Sequence, residues 1–214
     1  STSRTIRLTD LIFNNEAEEA RPTLYTSQSS SYSSSSHGYY SSSDYLHSGS
    51  SEFKRVANKL RDTDSHSRRA SIKSIKSVSG KSLGPHGRST VAELWHGSES
   101  WKVSSIISEG FRLPSSAGAF GAGIYFSNQS CKSMSYGDRL LLCDVAVGRS
   151  MEVSSPDNSI TLSYVEGRGY DSVHHSPRGQ GGTFNHHEFV VYRSSQCVPK
   201  YCIEYSKGSS HCRL

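Results

Sequence analysis

The sequence is short of apolar residues: only 33% of its 214 positions are hydrophobic. Either the core is small or part of the chain does not join it. No run approaches the ~18 apolar residues of a membrane span, and the only apolar run in the first fourteen residues, "LIF", is too short for a secretory signal. Cysteine is scarce as well. Cys131, Cys143, Cys197, Cys202 and Cys212 form no C-x-x-C pair, and their odd number cannot pair within one chain. That argues against a zinc ribbon and a disulfide framework, and points to a reducing, intracellular setting, nuclear or cytoplasmic. No G-x-G-x-x-G opens a βαβ unit, so the ordinary dinucleotide fold is not supported. The chain does not begin with Met and reads as a piece of a longer protein.

The net charge of +5 is confined to one part of the chain. Residues 1–90 carry 13 basic and 8 acidic side chains, residues 91–214 carry 11 of each, and residues 52–88 alone carry 10 against 3. This describes a basic approach segment able to touch nucleic acid weakly and without sequence preference, rather than a basic domain. Interleaved serines suit a phosphorylated linker equally well. "RRAS" at 68–71 is what a basophilic kinase would read.

From Ser27 to Ser51, 14 of 25 residues are serine and no apolar period of 2 or 3.6 is present. Residues 1–50 are therefore expected to be a disordered Ser/Tyr-rich segment. Order returns in "SEFKRVANKLRDT", where Phe53, Val56, Ala57 and Leu60 recur at helical spacing behind Ser51 as N-cap. "ASIKSIKSVSG" reads as a strand anchored by Ile72, Ile75 and Val78, although their spacing of three suits neither a strand nor a helix. Further on, "ELWHGS", "GIYFS", "LLLCDVAVG", "SMEVSS", "EFVVYRS" and "KYCIEYS" have strand length and strand composition. "WKVSSIISEGF" places Val103, Ile106 and Ile107 as a short helix does, with Gly110 as its C-cap. The class is α+β.

Taken in order, "LWHGS" (94–98), "FGAGIYFS" (120–127), "KSMSY" (132–136) and "HEFVVY" (187–192) resemble the catalytic domain of the poly(ADP-ribose) polymerase family. The resemblance runs from about Ser51 to Lys207. The tankyrase type is suggested by "FGAGIYF", "HHS" at 174–176 and "EFVVYRSSQCVPKYCIEY". It implies an ADP-ribosyltransferase fold of two facing antiparallel sheets with short flanking helices and an NAD-binding cleft over residues 51–207. Residues 208–214 would be a tail.

By the same resemblance, NAD+ is the substrate and a protein side chain the acceptor. His96, Tyr125 and Glu188 form the catalytic triad. Tyr125 and Tyr136 would sandwich the nicotinamide, the backbone of Gly97 and the hydroxyl of Ser133 would meet its carboxamide, and His96 and Ser98 would contact ribose groups. Arg112 would reach toward the adenosine end. Gly121 and Gly123 would turn the chain beside the dinucleotide where a Cβ would obstruct it. A flat ring bearing a carboxamide does want aromatic faces and close polar groups. Cleaving its glycosidic bond develops oxocarbenium charge that a fixed carboxylate stabilises. An intact Glu188 keeps both single transfer and chain elongation open.

Blander readings exist. Tyr125 reads equally as strand packing, Glu188 as a solvated strand end, and the whole domain as a silent module that binds NAD+ or ADP-ribose without turnover. The pairs His174–His175 and His186–His187 invite a metal. Tankyrases carry a zinc-binding insertion before the strand that here reads "RLLLCDVAVG", and this chain passes from Tyr136 to that strand in a few residues, so no metal is expected. Nor does the stretch before "LWHGS" read as the helical subdomain that makes some family members depend on broken DNA. The acceptor-side stretch "GYDSVHHSPRGQGGTFNH" reads as a basic loop.

Overall fold

The structure, a computed structural model, describes residues 44–64, 70–85, 90–177 and 185–207. Most of the serine-rich segment, the two arginines of "RRAS" and the tail lie outside the described residues. Helix α1 (Ser51–Asp62) begins where its apolar period begins. The cap is Ser50, one residue before the expected Ser51, and its hydroxyl accepts the Phe53 N–H. Glu52 in the first turn and Lys59 and Arg61 in the last complement the helix dipole.

Among the described residues eight strands form two four-stranded sheets: β1 (Ser71–Ser77), β2 (Val91–Ser98), β3 (Ile124–Phe126), β4 (Arg139–Ala146), β5 (Ser150–Val153), β6 (Ser172–His175), β7 (Glu188–Val191) and β8 (Cys197–Ser206). The first sheet runs β1-β8-β4-β2 and is antiparallel throughout. The apolar face of α1 packs on it, bringing Val56 and Leu60 into one cluster with Ile75, Trp95, Leu140, Leu142 and Ile203. The odd spacing of β1 has a simple origin. Ile72 pairs with Tyr205 and Ile75 with Ile203, two residues apart on β8, so Lys73 is a bulge that returns both isoleucines to one face.

The second sheet runs β3-β7-β6-β5, and here two expectations are corrected. The pair β5 and β6 is parallel, not antiparallel. The connection from residue 154 to 171 carries a short helix, α4 (Leu162–Glu166), and is long enough for the crossover that parallel strands require. In addition, "SVHH", read above as part of a loop, is the wholly buried strand β6. Both of its faces are buried, so it lacks the polar alternation that exposes a strand to sequence reading.

Residues 44–50, placed above in the N-terminal segment, pack with the fold. The Leu46 N–H donates to Ile75 O and Ser77 Oγ donates to Asp44 O, while Leu46 packs on the first core. The basic approach segment is partly committed: Arg55 and Lys59 both pair with Glu93. Among the described residues no helix is long and apolar enough to cross a membrane.

Candidate active site

The two sheets meet at their edges. Trp95 on β2 and Ser127 just past β3 exchange backbone hydrogen bonds of 2.8 and 2.9 Å. Continued antiparallel pairing would next oppose Gly97 to Tyr125. Instead the Tyr125 carbonyl accepts His96 Nδ1–H at 2.9 Å, and the edges part. Because alternate residues of a strand direct their backbone groups to opposite sides, the N–H and C=O of Gly97 point as those of Trp95 do, away from β4 and into the gap. A side chain at Gly97 could not be accommodated, since its Cβ would lie 1.7 Å from Ser133 O. The sequence folds this way because a glycine stands where two backbones touch.

Helix α2 (Ser100–Glu109), ending at Gly110 as expected, closes one wall. Another wall is helical: "KSMSY" forms the end of α3 (Ser130–Ser133) and a 3₁₀ turn, Met134–Tyr136. Between them lies a cleft of about 810 Å³, in the range of small-molecule sites. His96, Gly97, Ser98, Arg112, Gly123, Tyr125, Ser133, Tyr136 and Glu188 all line it. Nine residues chosen from separated stretches of sequence are thus brought to one cavity.

Their settings differ. The Tyr125 hydroxyl is pinned, donating to Gly121 O at 2.7 Å and accepting the Phe120 N–H at 2.8 Å. Burial, aided by the charge of Glu188, pushes its pKa up to about 12, so it stays neutral. His96 packs edge-on against Phe111, with ring centroids 5.0 Å apart. Burial lowers its pKa, and the charge of Lys102 adds to this. With Nδ1 donating to a carbonyl, the neutral ring carries an acceptor lone pair on Nε2. Ser133 Oγ donates to Trp95 O at 3.0 Å, leaving its lone pairs for a donor. Tyr136 is exposed. Arg112 stands at the exposed rim, its guanidinium paired with Glu109.

At Gly121 and Gly123 the close neighbours are protein atoms. Gly121 has φ +85°, and a Cβ there would lie 1.9 Å from Ile160 O; one on Gly123 would lie 2.3 Å from Val190 Cγ1. What a side chain would strike at both is protein, because the loop is pressed onto β7 and the turn before α4.

Lys132 is the residue sequence reasoning passed over, although it opens the quoted "KSMSY". Its Nζ lies 2.7 Å from Glu188 Oε1, and both side chains are nearly buried. Burial alone would lower the Lys132 pKa, but its hydrogen bonds to Glu188 and Tyr136 outweigh it and raise the pKa, so the lysine holds its charge. Glu188 is therefore a fixed, paired carboxylate and not a solvated strand end.

The histidine pairs make other contacts. His174 Nδ1 bonds Glu152 at 2.6 Å and its Nε2 bonds His187 Nδ1 at 3.0 Å. His175 Nδ1 donates to Val153 O, and His186 Nδ1 bonds Gln129. Among the described residues no group of three or more His, Cys, Asp or Glu side chains is arranged to hold an ion.

Two four-stranded sheets parting over such a cleft define the class as the ADP-ribosyltransferase fold. Residues 50–207 match the poly(ADP-ribose) polymerase catalytic domain, and the chain belongs to that family. It is 37% identical over 136 residues to human protein mono-ADP-ribosyltransferase PARP4, covering 54% of this chain and 8% of that protein. The mouse PARP4 protein is 35% identical over 132 residues, covering 52% and 7%. Human protein mono-ADP-ribosyltransferase PARP3 is 27% identical over 202 residues, covering 74% and 38%. The chain thus spans well under half the length of these relatives.

Proposed function

We propose that the chain transfers ADP-ribose from NAD+ to a protein side chain and releases nicotinamide. The observation that carries this is the cleft itself: nine residues from distant positions line about 810 Å³ around a buried carboxylate held at 2.7 Å by Lys132. Family membership supports the same reading. In it, nicotinamide lies between Tyr125 and Tyr136 with its carboxamide on the Gly97 backbone and Ser133. His96 Nε2 accepts a ribose hydroxyl.

The bond from ribose C1′ to the nicotinamide nitrogen breaks, and nicotinamide leaves with the electron pair. Positive charge develops on the ribose. Glu188, with one oxygen on Lys132, offers the other to a ribose hydroxyl and to that charge. An acceptor nucleophile then bonds to C1′ and releases its proton to solvent, so that NAD+ and the protonated acceptor yield the ADP-ribosylated acceptor, nicotinamide and one proton. Positioning and electrostatics do the work.

Incubation with NAD+ labelled in its adenylate part, followed by nicotinamide quantitation and intact-protein mass, tests this. Nicotinamide release with label on protein is the expected result, and the mass increments separate single from repeated transfer. Binding of NAD+ without release would instead identify the silent module.

A further inference from the structure

The cleft has an aromatic surface that the transferase reading does not use. The chain holds two tryptophans. Trp95 is fully buried, whereas Trp101 is 71% exposed. Trp101 does not stand on a convex surface: Trp101, Lys102, Ser105 and Ile106, at i, i+1, i+4 and i+5, form the face of α2 that lines the cleft. Of the other aromatic rings lining it, Phe111 and Phe126 are buried and packed on His96, while Tyr125 and Tyr136 belong to the nicotinamide end. A dinucleotide has two flat ring systems, and Trp101 is the aromatic surface left for the second.

We propose that Trp101, with Lys102 beside it, is the platform on which this chain stacks the purine of its dinucleotide substrate. The proposal rests on the NAD+ reading above. The Lys102 ammonium lies 4.8 Å from the Trp101 ring centroid, steadied by Glu99 at 3.0 Å. It takes one face of the indole and leaves the other for a base, in the manner of aromatic platforms for unpaired nucleotides. Lys102 itself lines the cleft together with His96, which makes its ammonium a cation available to the charged phosphates that join the two ends of the ligand. An exposed tryptophan could equally anchor a protein partner, but one lining a concave wall beside a cation suits a nucleotide better.

Calorimetric titration of the chain and of Trp101→Ala with NAD+, AMP and nicotinamide tests the assignment, with indole emission followed in parallel. Trp101→Ala is expected to weaken NAD+ and AMP about tenfold and to leave nicotinamide affinity unchanged. Trp101→Phe should recover most of the loss, and AMP should quench the exposed indole of the parent. The kinetic loss should fall on KM more than on kcat. Unchanged NAD+ affinity in Trp101→Ala, in a parent that binds NAD+ and releases nicotinamide, would overturn this proposal alone and leave Trp101 to a protein partner. An equal loss for nicotinamide, or AMP binding without quenching, would overturn it too. A parent that binds neither NAD+ nor nicotinamide would sink both the proposal and the transferase reading.

Discussion

The two sheets have four strands each but are filled differently. In the first, the buried faces are mainly apolar: Leu140, Leu141 and Leu142 on β4 and Ile203 on β8 are wholly inaccessible, and Lys76 and Ser98 are its buried polar residues. In the second, β6 and β7 bury Ser172, His174, His175 and Glu188 among Val173, Val190 and Val191. Each of these polar groups must find a partner, since an unpaired one costs about 1–3 kcal/mol. Ser172 donates to Val147 O, His174 is bonded at both nitrogens, and Glu188 holds Lys132. The first sheet holds the larger apolar core and lends the cleft only the end of β2, with His96, Gly97 and Ser98. The second buries an ion pair where water is scarce, which on the proposed reading is where Glu188 acts.

This contrast predicts opposite mutational signatures. Glu188→Gln keeps the shape and removes the charge, so nicotinamide release should fall on the order of 10²–10³-fold, while nicotinamide binding by calorimetry persists. A variant as active as the parent would strip Glu188 of its role. In the first sheet, Leu142→Ala should cost about 2–5 kcal/mol of stability, read by urea denaturation, while the surviving folded protein keeps its KM for NAD+. A large shift in KM would mean that the two sheets are not separable in this way.

At the boundary with the serine-rich segment the effects are smaller. Ser50→Ala should lose about 1 kcal/mol, the worth of one helix cap. Removing residues 1–43 should leave the melting temperature unchanged, and removing 1–50 should lower it, because Leu46 and Ser50 go with the larger cut. Equal melting temperatures for the two truncations would place residues 44–50 outside the fold after all.

The smallest expected effect is on pH. Burial lowers the pKa of both His96 and His187 from the ordinary 6.5, so just below that value the unfolded chain binds more protons than the folded one. Stability then rises with pH in this window: it is complete above 6.5 and declines as the pH falls toward the folded values. Melting curves between pH 5 and 7.5 should show this slope for the parent and a shallower one for His187→Asn. Identical slopes would remove His187 from the account.

Much of the candidate site was legible because its residues sit in short strings that, taken in order, resemble a known family. Tyr125, Ser133, Tyr136 and Glu188 were ambiguous singly and were noticed only through that order, and all four line the cleft. Lys132 stood inside one of those strings, but its importance comes from Glu188, 56 positions away, and no local pattern joins them. The helix α1 and the turn at Gly110 were readable from an apolar period and a C-cap. Strand β6 was not, since full burial on both sides removes the alternation that marks a strand.

What the sequence determined by itself was the set of chemical groups and the local elements that carry them: an amphipathic helix, apolar strands, and glycines at the points of closest approach. What only the tertiary structure decided was which of these groups face one another. The parallel pairing of β5 with β6, the bulge at Lys73, the backbone of Ser133 against Gly97 and the ion pair of Lys132 with Glu188 all join residues distant along the chain. Such contacts form because packing two sheets leaves no other place for these groups, and packing is a property of the whole domain.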